Sequence, residues 1–156
     1  MPEDLRIRPY QPADEQSVIQ LWFRCQLVTS ANNPLHDIAR KMRVNPELFF
    51  VGERDGRVIA TCMAGYEGHR GWINYLAVEP ECQRHGIATQ MMAAAEHALR
   101  ALGCPKINLQ VRETNTQVIA FYQKIGYRND YVVSFGKRLE HDPPYQAEPS
   151  ESPKNS

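Results

Sequence analysis

The chain has 156 residues, of which 42% are hydrophobic, and this length and composition suit one globular domain. Eighteen basic residues balance eighteen acidic residues, so the formal net charge at pH 7 is zero. This balance argues against a nucleic-acid-binding protein, which normally carries a strong basic excess. A local positive loop that binds a small anion is still compatible with it.

The sequence predicts neither a membrane protein nor a secreted one. Residues 1–6 lack the apolar core of a signal peptide, and no segment approaches the roughly 20 apolar residues of a membrane-spanning helix. The four cysteines are scattered, with no Cys-x-x-Cys pair and no His at ligand spacing. We therefore expect a cytoplasmic protein with reduced thiols, no metal, and no membrane or nucleic-acid partner.

The first half of the chain predicts a strand, two helices and then three strands. Apolar and polar residues alternate at the start, and proline with acidic residues then opens a helix. Asp55-Gly56 is typical of a tight hairpin turn between two strands. The predicted elements are a strand at 5–8, helices from Pro12 to about Cys25 and from Leu35 to about Arg43, and strands at 48–53, 58–64 and 72–78.

The second half predicts helices that alternate with strands. The predicted elements are a helix that contains 91–96 and ends near Leu102, a strand at 106–111, a helix at 115–125 and a last strand at 131–137. Prolines, acids and serines dominate from Glu140 onward. We therefore predict an α/β (mixed α+β) domain at 1–139 and a disordered tail at 140–156.

The stretch from Leu76 to Thr89 combines features that favour anion binding. An apolar strand leads through Pro80 and a glycine-containing loop to the start of a helix. The free backbone N–H groups of a helix N-terminus, together with the helix dipole, bind phosphate oxygens. Gly86 leaves room for a ligand near the backbone, and Arg84 supplies further donors. This stretch is therefore predicted to bind a pyrophosphate.

Two motifs make the sequence resemble the GCN5-related N-acetyltransferases (GNAT family). Residues 83–88, Gln-Arg-His-Gly-Ile-Ala, fit the Arg/Gln-x-x-Gly-x-Gly/Ala loop with which that family binds the acetyl-CoA pyrophosphate. The spacing from Asn115 to Tyr122, followed by residues 124–127, resembles the family's second signature. The resemblance spans about 5–139 and implies a central twisted mixed sheet of about six to seven strands, flanked by about four helices.

A narrower resemblance is to the bacterial YpeA-type acetyltransferases. The segments that carry it are 33–34, 37–38, 40–42, 65–71, 103–107 and 136–139. It implies no particular acceptor, because the acceptor of that subgroup is not settled. Homodimers are frequent in the wider family, so the resemblance also makes a homodimer one of the expected assemblies.

The resemblance implies a set of residues that bind acetyl-CoA as co-substrate. The backbone of Leu76, Ala77 and Val78 would pair with the acetyl and pantetheine parts, and a free N–H there would hold the oxyanion. The pyrophosphate would be bound by Gln83, Arg84, His85, Gly86, Ile87, Ala88 and Thr89. Asn115 is either a helix cap or a ligand of the CoA arm.

Tyr122 is the candidate catalytic acid. Attack by an amine expels a CoA thiolate whose thiol has a pKa of about 8.5, whereas a tyrosine of pKa about 10 stays protonated at neutral pH. The alternative for Tyr122 is a core residue, because aromatic side chains at helical spacing mostly pack inside. Cys82 lies beside the loop, but no His and acid accompany it, so it is interpreted as structural.

The general base is left open. Many family members have a glutamate on the strand before the loop, where this chain has residues Ile73-Asn74-Tyr75. Glu53, Glu67, His69 and Tyr75 are the remaining candidates. Acceptor recognition is expected from the two early helices and from 65–71, through Asp37, Glu67, His69 and Arg70.

Two functions follow as hypotheses. The first is an acetyl-CoA-dependent N-acetyltransferase (an acyltransferase, EC 2.3.1.-) that acts on a primary amine by direct attack in a ternary complex. The amine would belong to a small molecule, an amino acid, or a protein N-terminus or lysine. The alternative is a catalytically silent module that binds or senses acyl-CoA, which the absent glutamate favours and Tyr122 opposes.

Overall fold

The computed structural model describes residues 4–146, which form one central sheet with helices on both faces. The strands are β1 (Arg6–Pro9), β2 (Phe49–Arg54), β3 (Arg57–Tyr66), β4 (Gly71–Val78) and β5 (Ile107–Leu109). The helices are α1 (Glu15–Arg24), α2 (Pro34–Lys41), α3 (Ile87–Ala101) and α4 (Thr116–Lys124). Within this described part, no helix is long and apolar enough to cross a membrane.

The sheet is mixed, and its five strands lie in the order of the chain. Strands β1 to β4 pair antiparallel with their neighbours, and β4 pairs parallel with β5. Asp55 and Gly56 both have positive φ, as a tight β2–β3 hairpin requires. Helix α3 makes the crossover that parallel pairing of β4 with β5 demands. The predicted mixed α+β class is confirmed.

Two separate apolar clusters hold the helices to the sheet. On one face, Trp22 and Leu21 of α1 and Ile38 of α2 are buried against β2, β3 and β4. On the other face, α3 and α4 cover the sheet, and Met91 and Leu99 are almost fully enclosed. The sheet therefore divides the molecule into an α1–α2 side and an α3–α4 side.

The predicted last strand at 131–137 is wrong. Residues 128–146 contain no strand, and Tyr131 has a φ of 53°, which extended backbone does not adopt. A strand needs a backbone partner, and within 4–146 this segment has none. The sheet accordingly has five strands where six to seven were expected.

The segment predicted to be a disordered tail begins with residues that make defined contacts. Arg40 of α2 donates to Asp142 over 2.8 Å, and the buried Asn33 donates to the carbonyl of Pro143 over 2.8 Å. Tyr145 is half-buried against the α1–α2 side. Residues 140–146 are thus held against α2, contrary to the prediction for this part, and residues 147–156 lie outside the described range.

Gly71 at the start of β4 provides a test of how closely α3 and β5 pack on the sheet. A Cβ at this position would lie 2.9 Å from Cys104 Sγ and 3.0 Å from Leu99 Cδ1. We expect Gly71→Ala to lower the free energy of unfolding by about 1–3 kcal/mol, because a packed core resists added volume. Urea unfolding of the variant and the unmodified protein measures this difference.

Gly65 on the neighbouring strand is the matched control. A Cβ there would meet only Lys41 Nζ, at 3.5 Å, which is ordinary contact. Gly65→Ala should change the unfolding free energy by no more than about 0.5 kcal/mol. Equal stabilities of the two variants would contradict close packing at Gly71.

Candidate functional site

A β-bulge interrupts the pairing of β3 with β4. Thr61 pairs with Ala77 and Met63 pairs with Asn74, so residues 75–76 of β4 lie opposite a single residue of β3. Such a bulge places an extra residue in one strand and removes its backbone groups from the regular ladder. The strand that leads into the predicted pyrophosphate loop therefore contains a bulge at residues 75–76.

Buried hydrogen bonds fix the bulge. Tyr75 has a φ of 49°, and its carbonyl accepts a hydrogen bond from the Thr61 hydroxyl over 2.8 Å. The same hydroxyl accepts from the indole N–H of Trp22 over 2.9 Å, and neither Thr61 nor Trp22 has exposed surface. Because a buried polar group without a partner costs about 1–3 kcal/mol, these bonds hold the turned-out backbone in place.

Strands β4 and β5 separate directly beside the bulge. They pair only where Gly71–Ile73 meets Ile107–Leu109, at the beginning of β4. From Asn74 to Val78, the edge of β4 that faces away from β3 has no strand beside it within the described residues. The space beyond this short pairing is called the opening, and residues 76–78 of β4 border it.

The loop that follows β4 presents unpaired backbone donors. Arg84 and Gly86 have φ values of 67° and 78°, which coil the chain tightly before α3 begins at Ile87. No described group accepts a hydrogen bond from the backbone N–H groups of residues 84–89. The N-terminus of α3 also has no side-chain cap. These donors and the dipole of a 15-residue helix favour an anion here.

The side chains of this loop have different surroundings. The Gln83 amide donates to the carbonyl of Val78 over 3.1 Å, so it secures the loop to the end of β4. Arg84 and His85 are exposed, Ile87 is buried and Ala88 is half-buried. The structure thus brings the predicted residues 76–78 and 83–89 together around the opening.

Tyr122 of α4 lies on the α3–α4 side, against the core, with 8% of its surface exposed. The edge of its ring meets Tyr127 at a centroid distance of 5.6 Å. Its hydroxyl forms no hydrogen bond with any described group. Within residues 4–146, every fully enclosed side-chain nitrogen or oxygen has a hydrogen-bond partner. The hydroxyl is therefore not fully enclosed by the described part of the chain. Burial, with a smaller effect of Cys62, raises the pKa of Tyr122, so the phenol stays protonated.

The structure shows a capping contact for Asn115. Its side-chain oxygen accepts from the N–H of Val118 over 3.4 Å, which makes it the N-cap of α4. Cys82, also beside the loop, accepts from the Arg54 guanidinium over 3.2 Å. That contact gives the thiol a structural partner, in keeping with the interpretation from the sequence.

The four candidates for a general base lie in different places. Glu53 pairs with Arg8 on β1 at 2.8 Å, on the far side of the sheet from β4. Glu67 accepts from the backbone of His69 over 3.0 Å within the exposed loop before β4. Tyr75 alone lies at the bulge. The structure therefore separates Glu53 from the opening and leaves Tyr75 beside it.

Tyr75 connects the bulge to α2 through a network that the sequence pattern does not reveal. Its hydroxyl donates to Asp37 over 2.6 Å and accepts from the Asn32 amide over 2.7 Å. Its ring stacks on Trp22 at a centroid distance of 3.8 Å. Burial and then the Asp37 carboxylate raise the pKa of Tyr75, so its proton stays on the phenol. Residues distant in sequence make this network, and no spacing rule could have found it.

Asp37 retains a partly free carboxylate oxygen at this point. Its second oxygen lies 3.5 Å from Arg40, and its side chain is 30% exposed. Arg40 is held more closely by Asp142, at 2.8 Å. A carboxylate thus lies next to the bulge on the α1–α2 side, and Tyr122 lies on the opposite side of the sheet.

Comparison with known proteins agrees with this geometry. Residues 15–127 match the family model described as "Acetyltransferase (GNAT) family". An acetyltransferase of Yersinia enterocolitica is 42% identical over 141 residues, which cover 90% of this chain and all of the relative.

Solved structures share the fold. The aminoglycoside acetyltransferase AAC(6')-Iy, in complex with the bisubstrate analogue CoA-S-monomethyl-acetylneamine, aligns with a TM-score of 0.72 at 19% identity. That alignment covers 87% of this chain and 99% of the other. Naa20 of Chaetomium thermophilum, also with a bisubstrate analogue, has a TM-score of 0.65 at 26% identity and covers 79% and 70% of the two chains.

The family match, the identity over nearly the whole chain and the shared fold all agree. The structure agrees with them in two features. The sheet opens beside a bulge, and a loop with free backbone donors lies at a helix N-terminus. The chain therefore belongs to the GNAT family of acetyltransferases and is an acyltransferase enzyme.

Proposed function

We propose that this protein transfers an acetyl group from acetyl-CoA to a primary amine. The observation that carries the proposal is the set of free backbone N–H groups at residues 84–89, directly after the half of β4 that β5 leaves unpaired. One end of this site suits a pyrophosphate and the other suits an extended acyl-pantetheine chain. Its relatives AAC(6')-Iy and Naa20 have been solved with bisubstrate analogues.

On the donor side, the loop binds the pyrophosphate and the opening receives the pantetheine. The N–H groups of residues 84–89 and the Arg84 guanidinium hold the phosphate oxygens. The backbone of residues 76–78 pairs with the pantetheine amides, much as an added strand would. A free N–H near the bulge binds the oxyanion that forms when the thioester carbonyl is attacked.

On the acceptor side, Asp37 and Tyr75 offer a site for a primary ammonium. The second oxygen of Asp37, which Arg40 approaches only to 3.5 Å, pairs with the cation, and the rigid Tyr75 ring limits how the amine enters. The ammonium loses one proton to solvent and attacks the thioester carbon as a neutral amine. The C–N bond forms while the C–S bond breaks, and the nitrogen gives a second proton to solvent, which leaves a neutral amide. The released thiolate takes a proton from the Tyr122 hydroxyl, which bulk water then reprotonates.

A thiol-release assay tests the function. Purified protein with acetyl-CoA should release CoA thiol in the presence of at least one amine from a panel of lysine, dipeptides, spermidine and an aminoglycoside. Calorimetry should show acetyl-CoA binding without any amine. Binding without release on every amine would support the alternative, a silent acyl-CoA-binding module. If neither acetyl-CoA binding nor thiol release is observed, the proposed acetyl-CoA site is wrong.

Replacing Tyr122 by phenylalanine tests the acid role. We expect Tyr122→Phe to lower kcat about 10- to 100-fold, because the departing thiolate loses its proton donor. The Kd for acetyl-CoA should change less than about twofold, since the hydroxyl is not part of the pyrophosphate loop. Phe121→Leu, a change on the same helix, serves as control. If the variant and the unmodified protein have the same kcat at saturating substrate, Tyr122 is not the catalytic acid.

Replacing Asp37 by asparagine tests the acceptor site. Asp37→Asn removes the negative charge while an oxygen remains for the Tyr75 hydroxyl. We expect KM for the amine to rise at least about tenfold, because a charge-assisted bond is lost, with the Kd for acetyl-CoA unaffected. Glu47→Gln, at an exposed position between α2 and β2, is the matched control. Equal amine KM values for both variants would place the ammonium elsewhere.

A further inference from the structure

Lys41, the last residue of α2, directs its ammonium toward the sheet. Its side chain is half-buried, and Nζ donates a hydrogen bond to the carbonyl of Ala64 on β3. A Cβ on Gly65 would lie 3.5 Å from Lys41 Nζ, so the amino group lies close to β3 at a residue without a side chain. A lysine that only terminated the helix would instead reach the last carbonyls of α2.

The ammonium of Lys41 has no anionic partner within the described part of the chain. Asp37, one helical turn earlier, pairs with Arg40 at 3.5 Å, and Asp142 pairs with the same arginine. Burial lowers the pKa of Lys41, and Glu47, which lies beyond ion-pair distance, raises it by less. Since removal from water disfavours the charged form of an amine, a bound anion would stabilise the cation here.

The sheet beside Lys41 exposes polar and aromatic groups on the α1–α2 side. Residues directly opposite each other on antiparallel strands present their side chains to the same face. Asn74 lies opposite Met63, which belongs to the α1–α2 cluster, and Trp72 lies opposite Gly65. Asn74 is exposed, and Trp72 is 39% exposed. An amide and an aromatic ring are therefore available to a ligand on this face.

Asp37 and Lys41 place opposite charges on one face of α2. Their spacing of four residues sets them about 6 Å apart along the helix axis. The Asp37 carboxylate lies at the bulge, where the Tyr75 hydroxyl donates to it over 2.6 Å, and the Lys41 ammonium lies farther along β3, at Ala64. This spacing permits an ion pair between the two residues, yet none forms in the described structure. Each charge is thus left for a ligand group of opposite sign.

We propose that the acceptor is a free α-amino acid, whose ammonium binds Asp37 and whose carboxylate binds Lys41. The inference rests on the proposed function, because Asp37 is the proposed ammonium site. One carbon separates the two charges of an α-amino acid, and each charge-assisted contact adds about 2.8 Å. Such a molecule therefore joins two protein charges that are near each other but not in contact. Its amine lies at the bulge, and its carboxylate lies farther from the thioester.

The strands order the remaining contacts in the same direction. Along β4, Asn74 lies between Tyr75, which bonds Asp37, and the residues that pair with Ala64 and Gly65. The Asn74 amide is thus placed to donate to the carboxylate. The bonds that form and break are those of the proposed transfer, with an N-acetyl amino acid and CoA as products. Lys41 gives up no proton in this reaction.

A cation at Lys41 selects against primary amines that lack a carboxylate. Spermidine and aminoglycosides carry additional positive charges, and one of these next to Lys41 would be repelled. A protein N-terminus has a neutral amide carbonyl where a free amino acid has its carboxylate, so it makes a weaker hydrogen bond. The arrangement therefore narrows the acceptor from primary amines in general to free amino acids.

Matched acceptors test the need for a carboxylate. The common L-amino acids are assayed by thiol release with acetyl-CoA, and the best of them is compared with its own α-carboxamide. The carboxamide keeps the amine and the side chain but loses the negative charge. We expect kcat/KM to be at least about tenfold higher for the amino acid. Equal values, or transfer to spermidine and to no amino acid, would overturn the inference and leave acetyl transfer intact.

Replacing Lys41 by methionine tests whether this residue provides the preference. We expect the ratio of kcat/KM for the amino acid over its carboxamide to fall below about threefold, because the charge is lost while a long side chain remains. Arg43→Met, at an exposed cation two residues later, should keep the ratio. Thermal unfolding checks that both variants are folded, and Lys41→Gln replaces Lys41→Met if that variant is not. A ratio that survives the loss of Lys41 would overturn the inference.

Calorimetry separates failure of this inference from failure of the proposed function. The same amino acid is titrated into the protein with bound CoA, which requires no turnover. Binding that Lys41→Met weakens about tenfold, without any acetyl transfer, would support the amino-acid site and contradict the transferase. Transfer to amines without a carboxylate, and no binding of any amino acid, would do the reverse. Neither binding nor transfer would overturn both.

Discussion

The hydroxyl of Thr61 is the group on which the geometry of the site depends. It is fully buried, accepts from Trp22 and donates to the carbonyl of Tyr75. With that carbonyl held by a side chain, β4 bulges away from the β3 ladder at the point where it also separates from β5. The bulge and the orientation of Tyr75 both follow from this one arrangement.

In the proposed mechanism, the sheet also separates two chemical tasks. The loop at 84–89 and Tyr122 accompany α3 and α4, which suits a donor with a long anionic arm and a thiolate that needs a proton. Asp37 and Tyr75 accompany α1 and α2, which suits a cationic acceptor. In that mechanism donor and acceptor meet at the bulge, beyond the point where β4 and β5 stop pairing, without sharing a binding surface. This separation allows members of one fold to change acceptor while they keep the donor site.

The segment after α4 shows how a strand depends on its surroundings. Its apolar residues have strand propensity, and the pattern predicted a strand at 131–137. Propensity gives a segment the tendency to pair, but only a neighbouring backbone provides the hydrogen bonds. Within residues 4–146 that neighbour is missing, and the structure leaves Val133 and Phe135 in water beside an empty edge of β5. The C-terminal residues differ from expectation for a related reason, since Asp142 finds Arg40 on a helix about a hundred positions earlier.

The amino-acid sequence alone determined the family, the mixed class of the fold, most of its elements and the loop at 83–89, because these are encoded by local periodicity and short motifs. It also selected Tyr122 and Asn115, and their roles in binding or catalysis stay predictions. Tertiary structure alone decided the five-strand count, the bonding of Gln83 to Val78 and the network from Trp22 through Tyr75 to Asp37. The network from Trp22 to Asp37 joins residues far apart in the chain, and hydrogen bonds at such separations form only after the sheet has brought its helices together.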